Sequence, residues 1–327
     1  MLEAASIGMR GIYMTGPRIE FAQFLMLMAL LGPSMILPAD GQTSVGEYRD
    51  PAASREPLIK FWVTAFNHNR HGLVLHLDRD EFYVLEGRQT QRVEYFSSDS
   101  SDRFRAGVLI DVSLAENDAL RPELWLAVSR FFRELLLKGD QMFVATFAEE
   151  VSVLQDWTDD TGLLDRAARK AFSATPKDGA AIYDALVWAC QQKLSGSQQR
   201  KVLIVVSDAA DDASYRTLEE TKETVQRSDA IVYWVAPWAG RGGEPFPGIR
   251  TAQEFSRETG GIAYIAANEK EFTGAFERIA FISSNIYAFG YHPRNLAHDG
   301  RFHKITVQCR RPEVKLLTRE GYYAPKG

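Results

Sequence analysis

Arg-Ala-Gly-Val-Leu-Ile-Asp-Val-Ser-Leu-Ala occupies positions 105–115, and its reading decides the fold. An unbroken apolar run that ends on a carboxylate is the pattern of a strand buried on both faces whose tip emerges at a site. Val202 to Val206 repeats the pattern and runs into Ser207-Asp208, with Asp211 and Asp212 close behind. Two acid-tipped parallel strands mark the switch point of an open α/β sheet, where ligands sit beyond the strands' carboxyl ends.

Outward from these strands, apolar runs alternate with helical periodicity. A helix is predicted from Pro122, with Leu124, Val128, Phe131 and Leu135 as its buried stripe and Gly139 as its stop. Met142–Phe147 follows as a strand. Val151–Trp157 is predicted to be an antiparallel edge strand, because the connection before it is too short for a parallel crossover. Helices are predicted over 163–172, 182–194, 218–226, 252–259 and 269–282, with further strands at 230–235 and 262–265. This alternation predicts an α/β, doubly wound, Rossmann-like sheet that is mostly parallel.

Both flanks read as β structure. Phe61–Phe66, Leu73–Leu77, Phe82–Leu85 and Gln91–Phe96 are short strand signals, and Gly87 marks a turn. Ile286–Tyr291, Phe302–Gln308 and Val314–Leu317 are strand signals after the α/β block, with Asp299-Gly300 as a turn. Neither piece is large enough to bury a core alone, so the two are expected to meet in one small β-sandwich. The predicted organisation is a β segment at 58–98, an α/β domain at 104–283 and a second β segment at 286–324.

Ahead of these, Arg10 and Arg18 precede an apolar run from Phe21 to Leu31, and Ala39-Asp40-Gly41 supplies a small-residue step. This reads as a secretory signal peptide over 1–41, cleaved after Gly41, with 42–57 as a polar linker. The Met35-Ile36-Leu37 extension allows an uncleaved anchor as the alternative, but Pro33 and Pro38 interrupt the helix such a span needs. The expected location is therefore periplasmic or extracellular, with no membrane span left after cleavage.

The chain has 327 residues, 45% of them hydrophobic and 25% charged, which is the composition of a folded protein. A net charge of −5 without clustered Lys and Arg argues against nucleic acid as a partner. Two cysteines are too few for a disulfide framework. The histidines, at 68, 71, 76, 292, 298 and 303, all fall in the flanking β segments. No His-assisted nucleophile or His-ligated zinc is therefore available in the α/β crevice. Gly240-Arg241-Gly242-Gly243 follows a strand but lacks the rest of a phosphate-loop pattern. It reads as a rim loop, with Trp238 and Phe246 as contact aromatics.

Several stretches resemble the von Willebrand factor A domain, and more closely a bacterial group in which that domain is flanked by β segments. They are Asp-Val-Ser at 111–113, Lys-Gly-Asp-Gln-Met-Phe-Val-Ala-Thr-Phe at 138–147, Ile-Tyr-Asp-Ala-Leu at 182–186 and Val-Val-Ser-Asp at 205–208. Gly-Tyr-His-Pro (290–293), Asp-Gly-Arg-Phe (299–302) and Glu-Gly-Tyr-Tyr-Ala-Pro (320–325) resemble the group's C-terminal β signature. The resemblance implies a metal-ion-dependent adhesion site for Mg²⁺ or Mn²⁺, built from Asp-x-Ser-x-Ser, a Thr on a second loop and an Asp after the fourth strand. Asp111, Ser113 and Asp208 match that pattern. Ala115 stands at the second Ser, Ala180 at the Thr, and Ala209 where a Gly usually follows the last Asp.

With two hydroxyl ligands missing from what is taken as an exposed rim, the site reads as degenerate. Mg²⁺ wants about six oxygens in a tight octahedron, and water alone brings no preorganisation. Glu116, Asp118, Asp211 and Asp212 are alternative oxygen donors, for Ca²⁺ among others; otherwise they are helix caps and solvated loop residues. No cofactor is certain, and Mg²⁺, Mn²⁺ or Ca²⁺ is expected to bind weakly at best. The leading reading is an exported, non-enzymatic module that binds a protein or peptide ligand through the crevice. A divalent-metal-dependent adhesion domain is the alternative, and a metallohydrolase a third.

Overall fold

The computed structural model describes residues 58–68, 72–98, 103–114, 122–137, 139–175, 177–197, 199–237, 248–294 and 298–326. The predicted signal peptide and linker, Ala115, Glu116, Asp118, and the 238–247 loop with Trp238 and Phe246 lie outside the described residues. Residues 55–327 form one compact unit.

Its centre is a six-stranded sheet of β5 (Phe104–Asp111), β6 (Gln141–Phe147), β7 (Val151–Thr158), β8 (Arg200–Val206), β9 (Ile231–Pro237) and β10 (Ala263–Ala266). The order is β10-β9-β8-β5-β6-β7, and every pairing is parallel except that of β7 with β6. The short β6–β7 connection forces the antiparallel return, as its length predicts.

Period-two alternation assigns each strand's side chains to two cores. Val108, Ile110, Ile204 and Val206 meet α1 (Trp125–Leu135), α2 (Thr161–Phe172) and α6 (Glu269–Ser283) on one face. Leu109, Leu203, Val205 and Trp234 meet α3 (Ile182–Trp188), α4 (Leu218–Arg227) and α5 (Ile249–Thr259) on the other. The predicted α1 stripe is buried as read, but the helix ends at Leu135 and Gly139 instead makes the left-handed turn into β6.

The flanking segments supply two four-stranded sheets. One has the order β13-β1-β11-β4, from β1 (Ile59–Asn67), β4 (Tyr95–Ser97), β11 (Tyr287–Tyr291) and β13 (Val314–Thr318). The other is β14-β12-β2-β3, from β2 (Phe82–Glu86), β3 (Gln89–Gln91), β12 (Phe302–Cys309) and β14 (Gly321–Tyr323). Each sheet mixes strands from both ends of the chain, so the composite sandwich forms. The first sheet is a middle layer. Phe61, Val63, Tyr287 and Phe289 point into the sandwich, whereas Trp62, Ile286 and Ala288 pack on the α/β core. A strand buried on both faces explains why 61–66 reads as nearly continuous apolar sequence.

Two strand expectations need correction. Leu73–Leu77 is not a strand; only Leu73 forms an isolated bridge, to Phe66. Left-handed backbone at His76 breaks the extended run, and the Leu77 amide bonds the Tyr287 hydroxyl instead of a neighbouring strand. Gln91–Phe96 is split, because the chain crosses from one sheet to the other between Gln91 and Tyr95.

The two ends are also tied by polar groups. Glu86 on β2 accepts from His303 Nδ1 (3.0 Å), from the Tyr322 hydroxyl (3.0 Å) and from the Tyr291 hydroxyl (3.1 Å). An amide in place of this carboxylate loses one acceptor oxygen and leaves a donor facing donors. Glu86→Gln is expected to cost about 1 kcal/mol, read as a lower urea midpoint with an unchanged slope.

Candidate functional site

The β5 and β8 tips lie side by side, with Ile110 opposite Val206. The chain leaves β5 toward β6 on one side and returns from β7 to β8 on the other, so the switch point falls between these tips. Asp111 closes β5 there and is fully buried, at 0% exposure. Its Oδ1 accepts from the Ser113 amide (3.0 Å) and the Ser113 hydroxyl (2.6 Å), and its Oδ2 accepts from the Ser207 hydroxyl (2.8 Å).

Burial is the main force on this carboxyl, and it pushes the pKa up to about 6 against the pull of Ser113 and Ser207. The nearby Asp208 charge pushes the same way. Asp208 itself is half-buried and also held above the usual carboxylate range, by burial first and by Asp212 after the opposing Ala210 amide.

Ser207 is the organising residue that the sequence pattern left unassigned. Its hydroxyl donates to Asp111 and accepts from the Ala209 amide (3.0 Å), while its carbonyl accepts from the Trp234 indole (2.7 Å). Trp234 is buried on β9 and stacks on Phe255 of α5, so the crevice floor is anchored to the core. Ala209 follows in the left-handed region, at φ 61°, where the resemblance expects Gly. That conformation costs an alanine about 1 kcal/mol or more, offset in part by burial of its methyl.

Gly248 presses on this turn. A Cβ at 248 would stand 1.9 Å from the Ala209 carbonyl oxygen. Gly248→Ala is expected to lower stability by about 1–2 kcal/mol and to shift the amide resonances of 207–210, whereas Gly274→Ala, which meets open space, leaves them in place.

The second loop departs further from a metal site. Ala180 was expected on an exposed rim, but it is 4% exposed and packs with Ile182 and Ala209 in the apolar core. Its amide donates to Asp212 Oδ1 (2.7 Å), and the Asp212 amide donates back to the Ala180 carbonyl (3.2 Å). Asp211 Oδ1 accepts from the Ile182 amide (2.9 Å), the Tyr183 amide (3.3 Å) and the Ser214 hydroxyl (2.5 Å). These two acids thus hold the loop at 180–181 and the start of α3.

Asp184 returns the connection by accepting from the Tyr215 and Arg216 amides (2.9 and 3.1 Å). The result is a braced loop that carries Tyr215 at 97% exposure. No hydrophobic periodicity marks a lone exposed aromatic, which is why Tyr215 escapes a sequence reading.

The side chains that would serve a divalent ion here are also the ones that tie the strand tips together. Both Asp111 oxygens accept hydrogen bonds from the protein, the Ser113 hydroxyl is turned onto Asp111, and the threonine position is an apolar core contact. Among the described residues, no three His, Cys, Asp or Glu side chains come together as a metal-ligand group. Both cysteines are free thiols, Cys190 buried and Cys309 half-buried.

No protein-family model matches the chain, and no curated protein matches it significantly. Solved structures do resemble it. Proximal thread matrix protein 1 of the mussel byssus, in a structure with a zinc-occupied MIDAS motif, is 13% identical with a TM-score of 0.47. That likeness covers 61% of this chain, which spans only 49% of the mussel protein. The vWF domain of the pilus tip protein Mfa5 from Porphyromonas gingivalis is 12% identical over 55% of this chain and 94% of that one, with a TM-score of 0.43. BatB from Bacteroides thetaiotaomicron is 15% identical over 55% and 98%, with a TM-score of 0.42. The assignment of this chain rests on its own strand order, its antiparallel edge strand and the residues at its strand tips. On those grounds the α/β block is a doubly wound, mostly parallel sheet with an antiparallel edge strand, similar to the von Willebrand factor A domains, and it is flanked by a β-sandwich made from both ends of the chain.

Proposed function

We propose that this chain is an exported, non-enzymatic binding module whose crevice rim recognises a protein without relying on a metal ion. The observation that carries the reading is the state of Asp111. Its carboxylate is satisfied by Ser113 and Ser207, so the strand tips are tied to each other where an adhesion site would need an open coordination shell. The braced 208–216 loop then presents Tyr215 to solvent, on the same loop as Asp208 and Asp212. A large aromatic on a preordered loop is the kind of residue that anchors an interface, since little freedom is lost when it is covered.

Export is inferred from the basic flank, short apolar core and small-residue step before Gln42. No helix of the described residues is long and apolar enough to cross a membrane. Crevice chemistry supports binding over catalysis, because the described strand tips offer carboxylates and serines but no histidine, and Cys190 is buried with its thiol pushed up to about 11.

The test is capture from an envelope extract of the native host in the presence of chelator. A protein retained by the wild type and lost by a Tyr215→Ala, Asp208→Ala double variant is the expected result. Retention only when Mg²⁺ or Ca²⁺ is added, or equal retention by the double variant, would overturn the reading in favour of a metal-dependent adhesion domain or a different face.

A further inference from the structure

The two edges of the central sheet are built differently. β7 is irregular, with two register shifts against β6, and it carries Asp156 paired to Lys193 (2.8 Å). Bulges and charges are devices that stop an edge strand from accepting another chain. β10 has none of them. Its sequence is Ala-Tyr-Ile-Ala, its register with β9 is regular, and its other side has no hydrogen-bonded strand among the described residues. Ile265 in the middle of it is 39% exposed.

Beside this edge lies a groove of about 500 Å³, within the range of ligand sites. One wall is α5, through Arg250, Glu254, Ser256 and Arg257; the other comprises Ile262, Ala263 and Leu317 of β13. The charges on the α5 wall are unequal in their partners. Glu254 bonds Lys222 (2.6 Å), and Arg257 pairs with Glu320 and Glu258. Arg250 makes no close ion pair among the described residues, and its charge reaches Glu254 only at longer range. The wall also holds a buried hydroxyl, Ser256 Oγ, that finds no hydrogen-bond partner among the described residues, which is unusual for a buried polar atom. The groove therefore joins the start of an open strand edge at Ala263 to the apolar side chains of Ile262 and Leu317 and the Arg250 guanidinium.

We propose that an extended peptide of a partner protein adds to the free edge of β10 and lies in the groove along α5, with an acidic side chain opposite Arg250. Backbone pairing to β10 provides the generic affinity and the Arg250 contact the preference, as in other strand-addition complexes. β10 lies three places from β5 in the sheet, so this surface is separate from the crevice and is the same whether or not the crevice holds an ion.

The experiment is an NMR titration of the full chain with three blocked peptides: Ac-Thr-Val-Glu-Val-Thr-NH2, its Glu→Lys counterpart, and a copy of the first with alternate amides N-methylated. The acidic peptide is expected to shift and slow the exchange of the 262–266 amides at about millimolar concentration. It should bind about fivefold more tightly than the lysine peptide, the size of one exposed ion pair. Arg250→Glu should reverse that order, and N-methylation should abolish binding, since strand pairing needs the backbone donors.

Unchanged β10 amides with all peptides would overturn the proposal. So would binding that survives N-methylation, or a preference indifferent to Arg250→Glu. Sedimentation of the protein alone supplies the last arm: a dimer broken by Ile265→Lys would assign the edge to a second copy of the chain instead.

Discussion

The stability of the wild type relative to Asp111→Asn is expected to fall by about 3 kcal/mol between pH 3.5 and pH 7.5. The sign follows from the direction in which burial moves the carboxyl. Burial raises Asp111 from 3.8 to about 6 in the folded chain, so the native state binds this proton more tightly than the unfolded state does. Stability from this group is fully present below the unfolded value and is lost as pH rises through about 6. Above that, the folded protein holds a buried charge answered only by hydroxyls and an amide. The gap between the folded and unfolded values corresponds to about 3 kcal/mol.

Asparagine removes the charge and keeps an acceptor for Ser113, but it turns a donor toward the Ser207 hydroxyl, which costs about 1 kcal/mol at every pH. Urea denaturation of wild type and variant at several pH values measures the difference, in which other titrating groups cancel. A variant that is less stable than wild type at pH 7.5, and regains parity when the wild type is stripped with chelator, would mean that a cation normally neutralises Asp111.

The second large effect is architectural. Deleting residues 286–327 takes β11 and β13 from both sides of β1 and removes Tyr287, Phe289, Tyr291, Ile305 and Tyr322 from the sandwich core. What remains of 58–98 has lost the strands on both sides of β1 and cannot bury Phe61 or Phe82. Thermolysin should then cut within 58–98 about a hundredfold faster than in the whole chain, a loss of about 3 kcal/mol of local protection. Mass mapping of early fragments reads this directly. Cleavage in that region at the rate of the intact protein would show that the N-terminal strands are held by the α/β block alone.

The long-range plan of the molecule was legible because hydrophobic pattern carries it. Val108–Ile110 and Val202–Val206 are apolar at every position, as a strand covered on both faces requires. The shortness of the β6–β7 connection dictated an antiparallel edge. Two undersized β pieces had to find each other, and they do. What the pattern could not show is where the chain changes layers. Residues 91–96 look like one strand because both halves are extended, yet the crossing between Gln91 and Tyr95 is set by which sheet each half completes.

The crevice was legible by position and less so by role. Asp111, Ser113 and Asp208 lie at the adjoining tips of β5 and β8. Ser207 is one residue before a conspicuous Asp, and its importance comes from a hydrogen bond across two strands. Ala180 reads as a rim position by alignment to a motif, but its burial follows from the tight turn that Asp212 imposes on its amide. Asp211 reads equally well as ligand or cap, and only the Ile182 and Tyr183 amides at its oxygen reveal the cap.

The most direct test of the metal-independent crevice is calorimetric titration of Mg²⁺, Mn²⁺ and Ca²⁺ into purified wild-type protein at pH 7.5. Binding weaker than about millimolar, no more than ~4 kcal/mol, is predicted for each ion. Micromolar binding by the wild type that is abolished by Asp111→Ala would contradict the account and place a functional ion at the strand tips.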